Sequence, residues 1–139
     1  MTPDFDALSA EGKRTQSQAA MARLWAAVYA LPSWYFVARM SGQSVSPFVG
    51  VVNEQPFLMA FTAKDRADQF ARRQGFVDAA GQTTILALPL PGVVQTAEEY
   101  RAQGIFGILF NDGPNGFFAP LTNLGPMWQY FQDRAAEQQ

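Results

Sequence analysis

The chain contains 139 residues, which fits one domain, because single domains most often contain roughly 100–150 residues. Apolar residues make up 48% of the chain and charged residues 16%, so there is material for a core and too little charge to keep the chain disordered. The net charge is −2, and cysteine and histidine are both absent, which excludes disulfides, thiolate nucleophiles and histidine chemistry and argues against a nucleic-acid partner.

Residues 1–14 are predicted to form a flexible N-terminal segment, and residues 15–139 to form a single domain. The first helix is predicted over 15–31, with Thr15 as its N-cap. The apolar residues of this segment recur at helical spacing; they are Met21, Leu24, Trp25, Val28 and Leu31. Pro32 ends the helix, because proline cannot continue the hydrogen-bond ladder.

Three strands are predicted after the first helix, over 34–40, 48–52 and 56–61. These segments are rich in aromatic and β-branched residues, and short polar connections separate them. Adjacent strands with short connections favour an antiparallel meander.

Beyond residue 61 the apolar pattern alternates between helical and strand spacing. The predicted elements are a helix over 62–75, a strand over 83–88, a helix that begins at Thr96, strands over 106–110 and 117–121, and a helix over 126–137. Residues 89–94, which contain two prolines, are predicted to form a loop between strand and helix.

This order of elements predicts an α/β (α+β) fold: a single domain with a mixed five- or six-stranded sheet packed against three to four helices. Six side chains occupy the inward positions of their elements. We expect Trp25, Phe61, Phe70, Leu86, Ile108 and Trp128 to be largely buried.

Two stretches resemble the N-terminal domain of the SseB family, the enhanced serine sensitivity proteins of bacteria. The first is PFLMAFT at 56–62, followed by the helix AKDRADQFARRQG; the second is GIFGILFNDGPNGFFAPLTNL at 104–124. The resemblance extends in order and spacing over about residues 33–125. It implies a bacterial α/β domain with no established active site to transfer. Longer members carry a second C-terminal domain, so a role that depends on that domain is not expected here.

No residue is predicted to be catalytic, to bind a cofactor or to hold a metal. Asn111, Asp112 and Asn115 offer oxygen ligands, but tight turns favour these residue types and the terminal Glu of a calcium loop is missing. Glu98 and Glu99 are adjacent on a predicted helix, so their side chains diverge instead of meeting at one substrate.

The apolar residues exceed what one core contact needs in two places, and this predicts an interaction patch. The first helix carries Ala22, Ala26 and Tyr29 beside its main apolar face. The proline-rich segment adds Leu90, Val93 and Val94 in a loop that has little conformational entropy to lose on binding. The partner would be another protein or a second copy of the chain.

An alternative places function in an aromatic-lined pocket. Trp34, Tyr35 and Tyr100 would line it, and the protein would then be a small-molecule sensor or an enzyme. A concave pocket with convergent polar groups would favour this alternative, whereas a flat apolar patch would favour protein interaction.

The sequence therefore predicts a non-enzymatic protein-interaction module of the SseB-like type. No signal peptide or long apolar run is visible, so the protein is expected to be cytoplasmic, with neither membrane nor nucleic acid as a partner.

Overall fold

The computed structural model describes residues 3–41 and 44–137, and these form one α+β domain. The helices in this part of the chain are α1 (Phe5–Thr15), α2 (Gln18–Tyr29), α3 (Lys64–Arg73), α4 (Leu90–Ala102) and α5 (Leu124–Glu137). The strands are β1 (Ser33–Ser41), β2 (Ser44–Pro47), β3 (Val49–Val52), β4 (Gln55–Phe61), β5 (Ile85–Pro89), β6 (Gly107–Phe110) and β7 (Phe117–Pro120). The predicted mixed sheet with packed helices is confirmed. Its seventh strand arises because the segment predicted over 48–52 is the second half of a longer segment that is interrupted at Phe48.

The strands form one sheet in which β5, β1, β4, β6 and β7 lie side by side. β1 pairs antiparallel with β5 and β4, and β6 pairs antiparallel with β7. β4 and β6 are parallel, which makes the sheet mixed. β2 pairs with the end of β1, and β3 pairs with the start of β4. β2 and β3 thus pair with the parts of β1 and β4 that lie beyond the positions at which β1 and β4 pair with each other.

The two faces of the sheet bury different side chains because neighbours along a strand point in opposite directions. On one face, Trp34, Phe36 and Ile108 pack under α1, α2, α4 and α5. On the other face, Val37 and Phe61 pack under α3 alone. Four helices therefore cover one face of the sheet and a single helix covers the other. Part of the α3 face is left exposed.

The predicted core is confirmed at four positions of six. Trp25, Phe61, Phe70 and Ile108 are buried. Leu86 and Trp128 are only partly buried and pack at the margin of the larger core.

The N-terminal segment differs from the prediction. Within residues 1–14, of which 1 and 2 lie outside the described part, the chain forms most of helix α1 instead of a flexible segment, and Phe5 is buried. The predicted helix start at Thr15 is wrong, because Gln16 adopts a left-handed backbone that separates two helices. Ser17 is the N-cap of the second helix, and its Oγ accepts a hydrogen bond from the Ala20 N–H at 3.0 Å.

The predicted loop at 89–94 is also wrong, because α4 begins at Leu90. Pro89 is the N-cap residue, and Pro91 lies in the first turn, where a proline removes no needed donor. Thr96 is not a helix cap; its hydroxyl donates to the Gly92 carbonyl one turn earlier. Pro89 thus ends β5 and Pro91 lies in the first turn of α4, so the strand and the helix follow each other without a loop.

Asn111 joins the carboxyl ends of the parallel strands β4 and β6. The residue is buried and has a left-handed backbone with φ of 53°. Its side-chain Oδ1 accepts a hydrogen bond from the Thr62 N–H at 3.1 Å, and its Nδ2 donates to Thr62 Oγ1 at 3.1 Å. Its own N–H donates to the Ala60 carbonyl at 2.9 Å. The side chain and the backbone N–H of Asn111 therefore hold the ends of β4 and β6 together.

We expect Asn111→Gly to destabilise the fold by about 1–3 kcal/mol, because the buried Thr62 amide loses its acceptor. Asn111→Ala should cost about 1 kcal/mol more, since alanine adopts the left-handed backbone less readily than glycine. Urea unfolding of both variants measures the difference, with the exposed Asp112→Ala as control. An alanine variant as stable as the glycine variant would contradict the role of the backbone conformation.

Candidate functional site

The described residues hold no group of three or more Asp and Glu side chains placed to bind a metal ion. The Arg101 guanidinium bonds to Glu98 and lowers the pKa of that carboxyl, which keeps it ionised and unsuited to act as a general acid. On α3, Arg66 pairs with Asp6 at 2.9 Å and Arg72 pairs with Asp68 at 3.0 Å. Glu98, Arg66 and Arg72 thus each bond to a side chain of opposite charge.

The predicted aromatic pocket at Trp34, Tyr35 and Tyr100 does not form. Trp34 is fully buried, and its indole N–H donates to the Val28 carbonyl at 3.0 Å. Tyr35, its neighbour on β1, packs against the cluster on the other face of the sheet. Tyr100 lies on α4 at the edge of the larger core. Alternation along the strand separates Trp34 from Tyr35, so these rings cannot line one cavity.

The predicted interaction patch is wrong at its proline-rich half. Leu90 and Val93 are 1% and 4% exposed and belong to the core between α4 and the sheet. Val94 is partly buried on the same helix. The physical reason is that residues 89–94 begin a helix, so the apolar side chains at helical spacing turn inward.

The other half of the predicted patch lies on a groove between α2 and α5. Ala22 and Ala26 are exposed on α2 and line the groove, and Tyr29 is buried but reaches its wall. Two depressions of about 640 and 460 Å³ make up this groove, and they share Ala22, Tyr130 and Phe131 as lining residues. The α2–α5 groove is therefore a pair of adjoining depressions along both helices.

Aromatic contacts hold the wall of the α2–α5 groove in place. The Tyr29 ring stacks on Phe131 at 5.3 Å, and Phe131 meets Tyr130 edge to face at 5.1 Å. The Tyr29 hydroxyl donates to the Leu124 carbonyl at 3.4 Å, and burial raises the pKa of this phenol. Tyr130 is still 52% exposed. The wall is thus fixed by packing on its inner side and open to contact on its outer side.

The charge of the α2–α5 groove comes from two arginines, and both line the depression to which Ala26 belongs. Arg134 lies over the Tyr130 ring, 5.5 Å from its centroid, and donates to the Tyr130 hydroxyl at 3.1 Å. Arg23 bonds to Glu11 at 3.2 Å, and both side chains of this ion pair are about half exposed. The residues that line the groove include no Asp or Glu. The lining residues themselves are therefore positively charged, and Glu11 beside the groove offsets the charge of Arg23.

A further depression, of about 470 Å³, lies near β1 and the segment that follows α3. The rings of Phe48 and Phe76 meet there at 4.9 Å. The Asp78 carboxylate at its rim accepts from the Ala80 and Gln82 amides at 2.9 Å and forms a turn. The polar residues that line this depression are exposed or partly buried, so it lacks the buried, convergent polar groups of a ligand site.

Sequence reasoning missed Tyr130 and Phe131 as lining residues of the groove. Met127, Trp128 and Phe131 define one face of α5, and Tyr130 widens that face by about 60°. This wider apolar arc is the same pattern that singled out Ala22 and Ala26 on α2. Applied to the last helix, it would have identified both sides of the groove.

Neither the protein-family models nor the curated proteins with which the chain was compared give a match. Within 3–41 and 44–137, no helix combines the length and the apolar character that crossing a bilayer requires.

Proposed function

We propose that this chain is a non-enzymatic protein-interaction module of the SseB-like type, acting in the bacterial cytoplasm, and that it binds a helix of another protein in the α2–α5 groove. The observation that carries the proposal is that two depressions adjoin along two packed helices. Recognition of an amphipathic helix by an apolar groove is a recurrent mode of protein binding.

The size of the groove fits about three turns of helix. α2 has 12 residues and is therefore about 18 Å long. Ala22 and Ala26 are exposed on this helix, as is Ala30 at its C-cap, and the three form a stripe of small side chains at intervals of four. Small residues on one helix allow the ridge of side chains of a second helix to approach closely. A partner helix can therefore lie between this stripe and the exposed Tyr130 ring.

The positions of the charges in the groove determine the direction in which a partner helix binds. Arg23 and Arg134 line one of the two depressions, whereas uncharged Gln16, Ser17 and Gln18 line the other. A partner helix with apolar residues at i, i+3, i+4 and i+7, and with Asp or Glu beside them at one end, would match both features. Charge complementarity of this kind sets orientation and specificity more than affinity.

Photo-crosslinking at position 26 tests the proposal. A photoreactive amino acid replaces Ala26 in cells, and mass spectrometry identifies the crosslinked peptide. The matched control is position 19 on the same helix, because Ala19 is also exposed but does not line the groove. We expect capture at 26 and not at 19, and the captured segment should have helical apolar spacing with acidic flanks.

The affinity of the protein for the captured segment is then measured with a synthetic peptide of that sequence. Ala26→Arg should weaken it at least about tenfold by filling the groove, whereas Ala19→Arg should leave it unchanged. Both variants should melt at the temperature of the unsubstituted protein, because arginine is a good helix former at exposed positions. Equal capture at 19 and 26, or equal binding by both variants, would overturn the proposal.

A further inference from the structure

Polar contacts tie helix α1 across the carboxyl ends of two neighbouring strands. The Arg66 guanidinium, in the first turn of α3, donates to the two carboxylate oxygens of Asp6 at 3.1 and 2.9 Å. Two turns further along α1, the Lys13 Nζ donates to the Pro114 carbonyl at 2.9 Å. α3 follows β4, and Pro114 follows β6. α1 therefore spans the carboxyl ends of the parallel pair β4 and β6.

The inner face of α1 holds this helix weakly. Its buried residues are Phe5, Ser9 and Gly12, of which only Phe5 has a large apolar side chain. The Ser9 hydroxyl is 1% exposed and has no hydrogen-bond partner among the described residues. A buried hydroxyl without a partner is costly to keep out of water. Gly12 adds to this weakness, because glycine inside a helix is less favourable than alanine.

The junction between α1 and α2 allows the first helix to leave without the second. Gln16 lies between them with a left-handed backbone, φ 52°, which costs energy in a residue that has a Cβ. The start of α2 carries its own cap, since Ser17 Oγ accepts from the Ala20 N–H. α1 has only 11 residues, and an isolated helix of this length is marginal in water. Release of α1 therefore unfolds α1 and leaves α2 in place.

We propose that α1 is a lid that opens as a unit about Gln16 while the rest of the domain stays folded, and that the Asp6–Arg66 ion pair holds it shut. Segments with few buried apolar contacts open at a lower free energy than the core. Opening withdraws Phe5 from the larger core and uncovers the ends of β4 and β6. The inference does not depend on what binds the α2–α5 groove and is independent of the proposed function.

The ion pair that holds the lid responds to ionic strength. The side chains of Arg66 and Asp6 are 35% and 44% exposed, and salt screens pairs that are this accessible to water. Their two parallel hydrogen bonds make the pair stronger than a single-contact pair of the same exposure. Salt should therefore promote opening of α1, and this effect should require Arg66.

Amide hydrogen exchange of the full chain, followed peptide by peptide with mass spectrometry, tests the inference. We expect residues 8–16 to be protected at least about tenfold less than residues 24–28 of α2, because α1 opens alone. Arg66→Gln should lower the protection of α1 by about two- to fivefold and leave that of α2 unchanged. Ser9→Ala should raise the protection of α1 at least about fivefold, because it removes the hydroxyl that lacks a partner and adds a good helix former.

Two control variants and one change of solvent complete the experiment. Arg73→Gln removes the same charge two turns further along α3 and should leave the protection of α1 unchanged, and Ala10→Ser on the exposed side of α1 should not raise it. Sodium chloride at about 1 M should lower the protection of α1 in the unsubstituted protein and have little effect in Arg66→Gln.

Three results would overturn the inference. Equal protection of α1 and α2 would show that α1 opens only when the whole domain unfolds. Unchanged protection of α1 in Arg66→Gln would show that the ion pair does not hold the lid. Unchanged or lower protection of α1 in Ser9→Ala would show that the buried hydroxyl does not weaken its packing.

Discussion

Simultaneous replacement of Leu90 and Val93 by serine is expected to unfold the protein. Both side chains are buried between α4 and the sheet, and each substitution removes apolar contacts and places a hydroxyl in the core. The cost should be about 5–8 kcal/mol, since loss of a buried leucine side chain alone costs 2–5 kcal/mol. That range is comparable with the whole stability of a domain, roughly 5–15 kcal/mol.

Far-ultraviolet circular dichroism and urea unfolding of this double variant measure the effect. Gln95→Ser on the same helix is the matched control, because Gln95 is exposed and should change stability by less than about 0.5 kcal/mol. A folded double variant with an unchanged melting temperature and lost association would show that the two residues form a surface contact after all.

Phe61→Ala is expected to cost about 3–5 kcal/mol. Phe61 ends β4 at 2% exposure, and its ring lies 5.2 Å from Phe70 of α3. Because α3 alone covers this face of the sheet, no second helix is available to close the space that the ring leaves. The variant should retain the helices of the other face and lose much of the cooperativity of unfolding.

The control for Phe61→Ala is Phe118→Ala, which removes the same ring from an exposed position and should cost less than about 1 kcal/mol in dilute solution. Thermal and urea unfolding midpoints compare the two. Similar midpoints for both variants would contradict the assignment of Phe61 to the core.

The sheet and the central helices were predictable from local patterns, because periodicity reports which face of an element is buried. The segments around Phe61, Phe70 and Ile108 show this, since each apolar residue lies at the spacing of its element and is buried. Helix starts were less predictable. Pro89 and Pro91 fit both a loop and the first turn of a helix, and only the packing of Leu90 on the sheet decides between them.

The candidate site was predictable on one helix only. The excess apolar arc of α2 identified Ala22 and Ala26, but the groove also needs Tyr130 and Phe131 from a segment about 100 positions later. No local pattern contains that pairing, because it depends on which helices the sheet brings together. The prediction of an aromatic pocket was wrong for a reason that the sequence does contain. Alternation along a strand places Trp34 and Tyr35 on opposite faces of the sheet.

The parallel pairing of β4 with β6 has a consequence for how the chain reaches this fold. Phe57 pairs with Gly107, fifty positions further along, after α3, β5 and α4 have been made. Closing a loop of this length costs conformational entropy before any contact is gained, so such pairings form slowly. Until β6 arrives, the apolar strand β4 has one edge without a partner, and unpaired edges of this kind promote aggregation. Expression at low temperature and low synthesis rate should therefore raise the yield of folded protein, because association between nascent chains depends on concentration and folding of one chain does not.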